Sequence, residues 1–334
     1  MLIRKTAYYD QFQCIAGQCP DSCCKEWDVQ VDPASADAYR KLEGPLGDRL
    51  RQVLTTDENG ETVMTIENGR CPMWREDGLC RIQAELGEEA LCRVCRQFPR
   101  LEHDYGDFLE LGLELSCPEA ARLILSAPAL PLTCQESDIP GEAEYDWIDM
   151  DILLRTRRQA LDILSCPDYS PTQALTLLLI FGYHAQAELD GMKPEPFSPA
   201  AALNEARSLA READPTELLR FFLDLEILTD RWKNLLLHPG IPSPWTQQHK
   251  NLSRYFVERY WLQAISDLDI VCRAKLAVVS CILVRTLGGD ICDTAQLYSK
   301  ETENNADNMD AILDAAYTHP AFTDDRLLWH LHGF

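Results

Sequence analysis

Positive charge is in short supply. Lys and Arg number 31 against 54 Asp and Glu, a net charge of −23 in 334 residues. The deficit runs through the chain, with 14 against 23 in residues 1–125 and 17 against 31 in residues 126–334. A field of that sign repels a phosphate backbone, so no nucleic-acid partner is expected. It favours solubility, and it tolerates or attracts a cationic group such as a lysine side chain. Long apolar runs are also missing. The most apolar stretches, Ala174–Phe181 and Leu276–Val284, are too short to cross a bilayer, so no membrane role is expected. Met1–Phe12 contains no apolar h-region. That argues against a secretory signal and for the reducing cytoplasm, where stable disulfides are rare. No G-x-G-x-x-G follows a strand, and no Walker A run occurs. A nucleotide-like cofactor would therefore bind outside a Rossmann frame. The C-x3-C-x2-C run of radical S-adenosylmethionine enzymes is absent as well. Cys19-x3-Cys23 begins that spacing, but the next cysteine is adjacent.

Cysteine, by contrast, is abundant and patterned. Nine of fourteen lie in the first 117 residues: Cys14, Cys19, Cys23, Cys24, Cys71, Cys80, Cys92, Cys95 and Cys117. They read C-x4-C-x3-C-C, then C-x8-C, C-x2-C and a Cys-Pro. Thiols this close either bond to each other or bind metal. The expected reducing compartment and the odd count favour metal. Four thiolates hold one tetrahedral zinc or one [4Fe–4S] cluster. Zinc sites use paired C-x2-C knuckles, and here Cys92–Cys95 alone has that form. The adjacent Cys23–Cys24 pair suits dispersed ligands or two separate centres. These features tilt the reading from zinc toward iron–sulfur. Cys19, Cys71 and Cys117 each precede proline, which shapes the turn around a ligand. Cys117 is placed as the cap of a helix opening at Pro118, where the helix terminus should lower its pKa. Nine thiols exceed the needs of one centre. Some are structural, or there is a second metal. Cys134, Cys166, Cys272, Cys281 and Cys292 lack ligand spacing; Cys272 and Cys281 read as core residues, and His330 with His332 as a solvated tail.

The fold class is mainly α. A small irregular Cys-rich metal-binding domain with a few short strands is expected over residues 1–125. A linker follows over 126–146, broken by Pro128, Pro131 and Pro140, and then an all-helical bundle domain over 147–334. Alternation places strands at Glu26–Val31, Glu61–Ile66 and Asp107–Leu115. Asp32-Pro33 opens a short helix, and another spans Leu79–Leu91. Ser170 and Asp214 head capping boxes, and Ser198-Pro199 starts a further helix. Helical periodicity marks Leu218–Trp232, Leu252–Ile265 and Ala274–Leu287.

Four segments in order resemble the flagellin lysine-N-methylase family, part of a group of Cys-rich zinc- or iron-chelating domains. They are Phe12-x-Cys14-x4-Cys19-Pro20-Asp21-Ser22-Cys23-Cys24-x2-Trp27; Gly69-x-Cys71-Pro72 with Asp77-Gly78-Leu79-Cys80-Arg81; Gly87 to Cys92-x2-Cys95-Arg96-x-Phe98-Pro99-Arg100; and Leu115-Ser116-Cys117-Pro118-Glu119-Ala120-Ala121-Arg122. The match covers roughly the first 125 residues in motif detail. It implies a protein-lysine N-methyltransferase of the bacterial flagellum, with S-adenosylmethionine as donor, flagellin as acceptor and a [4Fe–4S] cluster needed for transfer. The alternative is a non-catalytic zinc- or iron-binding interaction protein.

Methyl transfer needs a neutral amine in line with the methyl group, hence a proton acceptor. Candidates near the cysteine motifs are Tyr8, Tyr9, Asp10, Asp28 and Glu114, all equally readable as surface or turn residues. Trp27 is a candidate to flank the cationic donor, or a core residue. Arg96 and Arg100 are candidates to pair with the donor carboxylate or to offset cluster charge; a salt bridge to the acidic surface is the competing reading. A cluster would either orient the donor or brace the chain.

Overall fold

The computed structural model describes residues 1–23, 29–57, 59–137 and 140–332. The chain is mainly α, with its short strands near the N-terminus. Strands β1 (Leu2–Lys5), β2 (Val29–Gln30), β3 (Leu54–Thr56), β4 (Thr62–Met64), β5 (Arg100–Asp104), β6 (Phe108–Leu113) and β7 (Thr133–Glu136) form two sheets. One has the order β5-β6-β1-β7, with β1 parallel to β6 and antiparallel to β7. The other is β2-β4-β3, all antiparallel. Between the strands lie α1 (Pro33–Lys41), α2 (Gly44–Val53), α3 (Arg81–Leu86), α4 (Arg93–Gln97) and α5 (Pro118–Ser126). The remainder is helical: α6 (Trp147–Ser165), α7 (Pro171–Leu189), α8 (Pro199–Leu209), α9 (Pro215–Asp224), α10 (Asp230–Leu237), α11 (Gln247–Tyr260), α12 (Val271–Leu287), α13 (Ile291–Thr302), α14 (Ala306–Thr318) and α15 (Asp324–His332).

Two apolar cores hold these elements. The larger gathers the later helices around α12, whose residues are buried on all sides. It reaches back to Tyr8, Phe12, Phe108, Leu113 and Leu115 and to the apolar face of α5, so the four-stranded sheet packs on the helices. At the tightest crossing Gly182 of α7 faces Ala274 of α12, where a Cβ would stand 2.6 Å from the alanine methyl. The smaller core is built from residues between Val29 and Cys92, with Tyr39, Leu50, Met64 and Met73 at its centre. Residues 126–146, expected as a linker, contribute β7 to the first sheet.

Several sequence expectations hold locally. Asp32 caps α1 by accepting from the Ser35 amide at 3.0 Å. Ser170 and Gln173 form the capping box of α7, and Ser198 caps α8. Strands β4 and β6 lie inside their expected ranges, while residues 26–28 of the expected strand 26–31 fall outside the described residues.

Other expectations need correction. The helix expected over 79–91 is split at Gly87, whose φ of 89° ends α3 and starts a short 3₁₀ turn. The apolar repeat over 218–232 belongs to two helices. Thr229 restarts the chain by accepting from the Trp232 amide at 3.1 Å. Asp214 caps α9 through the Thr216 amide, and its expected box partner Glu217 instead pairs with Arg326. The expected solvated tail is α15, with His330 buried.

Helix α11 has a histidine in its cap. The Thr246 amide donates to His249 Nδ1 at 3.1 Å, which requires that nitrogen to be unprotonated. Burial, aided by Arg285, lowers the His249 pKa to about 4 from 6.5. The unfolded chain therefore takes up this proton below pH 6.5, while the folded chain resists until about pH 4. Stability from this site is full above pH 6.5 and is lost as pH falls toward 4, by roughly 3 kcal/mol at the acid limit. Buried His330, also held at about 4, adds loss of the same sign. Urea unfolding at pH 7 and pH 4.5 should show the drop. His249→Gln, which keeps an acceptor in the first turn, should shrink it.

Candidate metal centres and the adjoining cleft

The cysteines fall into two neighbourhoods. The first lies where the N-terminal loop meets α5 and α13. Cys14 and Cys19 flank a 3₁₀ turn over Ala16–Gln18. Cys117 has extended backbone (φ −88°, ψ 127°) and heads α5, as the sequence indicates. Gln296 of α13 ties these segments together. Its Nε2 donates to the Asp21 carboxylate at 3.1 Å and to the Ser116 carbonyl at 2.6 Å, while Lys300 reaches Asp21 at 3.3 Å. Cys19 and Cys14 are charge neighbours of Cys117.

The second neighbourhood lies on the small core. The chain from Cys71 turns at Trp74, whose amide donates to the Cys71 carbonyl at 2.9 Å, and Trp74 then pairs with Cys80 across a short ladder. Arg81 closes the hairpin by donating to the Met73 carbonyl at 2.7 Å. Cys92 heads α4, anchored because the Arg93 amide donates to Asp32 at 2.8 Å. Cys71 and Cys92 are buried in the small core, and Cys80 and Cys95 pack against it. Cys23 is a charge neighbour of Cys80 and Cys95, and also of Cys19.

The thiols titrate differently. The Cys95 thiol donates to the Cys92 sulfur, and the backbone amide of Cys95 assists, bringing the Cys92 pKa down to about 7. That same bond, together with burial, raises Cys95. Burial pushes Cys117 up to about 12, outweighing the Ala120 and Glu119 amides. Burial thus opposes the lowering that this helix terminus and its two amides provide. Burial likewise raises Cys19 and Cys80. Among the described residues no three Cys, His, Asp or Glu side chains converge to ligating distance. Cysteine sulfur is the donor type that zinc and iron–sulfur centres prefer, but the described side chains are not gathered into such a set. Cys24, Trp27 and Asp28 lie outside the described residues.

The remaining predicted residues disperse. Asp10 is exposed and pairs with Lys5 at 3.1 Å. Tyr9 is half-buried, and burial raises its pKa. Arg96 pairs with Glu89 at 3.7 Å on the surface. Arg100 stacks over the Phe12 ring at 5.2 Å. Glu114 is deeply set, accepting from the Ser116 hydroxyl at 2.6 Å; burial raises its pKa, with Arg259 opposing. Cys272 and Cys281 are buried in α12, as expected.

Tyr8 opens onto something sequence reasoning missed. Between the first sheet and α11 lie two adjoining small cavities of about 10 and 30 Å³, both lined by Tyr8, Tyr255 and Glu258. Tyr8 donates to Glu258 Oε2 at 3.2 Å, and Arg254 donates to its other oxygen at 2.8 Å. Burial raises the pKa of Glu258, with Arg254 opposing, and holds Tyr8 protonated. Around them stand the pairs Arg157–Glu110 at 2.6 Å and Arg259–Glu303 at 2.8 Å. His103 lines the larger cavity, and burial lowers its pKa. Its Nε2 has no hydrogen-bond partner among the described residues. The available signal was charge on an otherwise apolar helix face, at Arg157 in α6 and at Glu258 and Arg259 in α11.

Three curated proteins resemble the chain over 132 residues, each 33% identical across 38% of it. One is the flagellar biosynthetic protein FliU of Salmonella muenchen, of which 78% is covered. The others are lysine-N-methylases of Salmonella typhimurium and Salmonella choleraesuis, of which the match covers 33%. The aligned region thus spans about a third of the length of the two methylases. No protein-family model matches the chain, and no solved structure matches it.

Proposed function

The chain belongs to the flagellin lysine-N-methylase family, and from that premise we propose that it is an S-adenosylmethionine-dependent protein-lysine N-methyltransferase acting on flagellin, with a cysteine-bound iron–sulfur cluster. The observation that carries the reading is the 33% identity to two lysine-N-methylases. The acidic surface suits a cationic acceptor, and the cytoplasm is its expected compartment, since flagellin and donor meet there before export. Among the described residues no helix is long and apolar enough to cross a membrane.

In the reaction the amine lone pair attacks the sulfonium methyl, the S–CH₃ bond breaks with its electrons passing to sulfur, and the ammonium loses a proton. Glu258 is the proton acceptor we assign. It is a buried carboxylate at the junction of the two cavities, and its raised pKa favours accepting a proton from a substrate amine. Tyr8 positions it. When bound, a cluster held by the clustered cysteines would supply an iron able to orient the amino and carboxylate groups of the donor.

The test is direct. Metal-loaded protein, flagellin and methyl-labelled donor should give labelled flagellin lysines. No label from folded, metal-loaded protein sinks the transfer reading. A metal-binding interaction protein would then remain. That second reading keeps its place because the match takes in only 33% of each methylase.

A further inference from the structure

We propose that the first turn of α6 and the acidic segment leading into it form a docking surface for a lysine-rich stretch of the acceptor protein. The surface itself rests on exposure and charge. The identity of its partner as the methyl acceptor rests on the transfer reading above.

Two observations meet here. The first is apolar. Trp147 and Ile148 open α6 and are 61% and 72% exposed, while Met150 and Leu153 of the same helix are buried in the large core. Large apolar side chains left outside are ordinary when they stand singly. A tryptophan and an isoleucine side by side are not, and tryptophan is among the side chains that most often anchor an interface. The second observation is electrostatic. Residues 123–154 hold seven Asp and Glu and no Lys or Arg. The cations flanking this run are already committed, Arg122 to Glu119 at 2.7 Å and Arg155 to Glu188 at 2.6 Å. Glu142, Glu144, Asp146 and Asp151 are exposed on either side of the apolar pair in the chain, and none of them forms an ion pair among the described residues. A partner that covers Trp147 and Ile148 must therefore bring positive charge, since an acidic one would set like charges together. Lysine suits both halves of the surface. Its methylene stem covers apolar area, and its ammonium sits against an indole face or a carboxylate.

The surface is preformed. Asp146 caps α6 by accepting from the Ile148 amide at 2.7 Å. The Trp147 ring packs edge-on against Tyr145, with centroids 5.3 Å apart, and the Tyr145 hydroxyl donates to Asp107 just before β6. Gly141 and Gly106 approach so closely that neither has room for a Cβ, which clamps the segment onto the β5–β6 turn. From there β6 runs to Glu110, in the wall of the larger cavity. The docking surface and the Glu258 site thus share one strand.

The test measures binding, with no methyl donor present. A fluorescent peptide of alternating lysine and leucine, and flagellin monomer, are titrated with the intact chain. Both should bind, more weakly as salt is raised. Trp147→Ser/Ile148→Ser should weaken both by about tenfold or more at unchanged helix content. Glu142→Gln/Glu144→Gln/Asp151→Asn should weaken both and flatten the salt dependence. Ile241→Ser, at a side chain 90% exposed elsewhere, and Glu205→Gln/Glu212→Gln should change neither. Flagellin with acetylated lysines should not bind. Equal binding by the parent and Trp147→Ser/Ile148→Ser overturns the proposal, as does equal loss in Glu205→Gln/Glu212→Gln or no binding of either probe. In the methyl-transfer assay, Trp147→Ser/Ile148→Ser should raise KM for flagellin and keep kcat. Binding without transfer sinks the transfer reading alone, and transfer with an unchanged KM sinks the docking surface alone.

Discussion

Glu110→Leu should destabilise the protein by about 3–5 kcal/mol, because it strands a buried guanidinium. Arg157 of α6 meets the Glu110 carboxylate of β6 through two hydrogen bonds of 2.6 Å each. The side chains are 5% and 10% exposed, so water cannot replace the lost partner. Burial alone would lower the Arg157 pKa, but Glu110 more than reverses it, and the net shift is upward. Without Glu110, the remaining partner among the described residues is the Glu258 carbonyl at 3.3 Å. The reverse change, Arg157→Met, should cost less, because Glu110 keeps Arg4 at 3.5 Å. The double variant Glu110→Leu/Arg157→Met removes both charges together and should recover much of the loss. Urea denaturation of the four proteins closes the cycle. A Glu110→Leu variant within about 1 kcal/mol of the parent, in the range of ordinary surface changes, would show that the pair is not buried as described.

This pair also marks where the sequence stopped being legible. Helix starts could be read because Asp32, Ser170 and Ser198 act on amides two or three residues away, and Cys117 could be placed before Pro118 for the same local reason. The helix over 79–91 failed on one residue, Gly87, whose positive φ outweighs the apolar period around it. The box at Asp214 was misassigned because Glu217 is taken by Arg326 from 109 residues away, whereas the cap at Thr229 is local, accepting from the Trp232 amide, and was masked by the apolar repeat that runs through it. The cysteine spacing announced a thiol-rich site. Which segments carrying them meet could not be read from it, since Gln296 reaches Asp21 from 275 residues away. The cleft was invisible for the same reason. Tyr8 and Glu258 are 250 residues apart, and each alone reads as an ordinary amphipathic residue.

The same distant pair carries the largest catalytic effect expected. Glu258→Gln keeps the volume and one of the two hydrogen-bond-accepting oxygens, yet it cannot take a proton. Methyl transfer to flagellin should fall by roughly 10²–10⁴-fold at neutral pH, the usual contribution of a positioned base. The pH profile supplies the more searching readout. An acceptor works only when deprotonated, so activity should rise with pH through the Glu258 pKa. Burial holds that pKa above the ordinary 4.5, which places the rising limb above the usual carboxylate range. Tyr8 opposes the shift by donating to the carboxylate. Tyr8→Phe should therefore move the limb to higher pH and lower the rate modestly, whereas Glu258→Gln should abolish that limb. A purely structural pair would lower stability in both variants and leave the profile of the surviving activity in place. Full activity with an unchanged profile in Glu258→Gln, by labelled-donor assay on protein of native helix content, would remove Glu258 from the reaction and return the choice to Glu114, whose burial raises its pKa in the same direction.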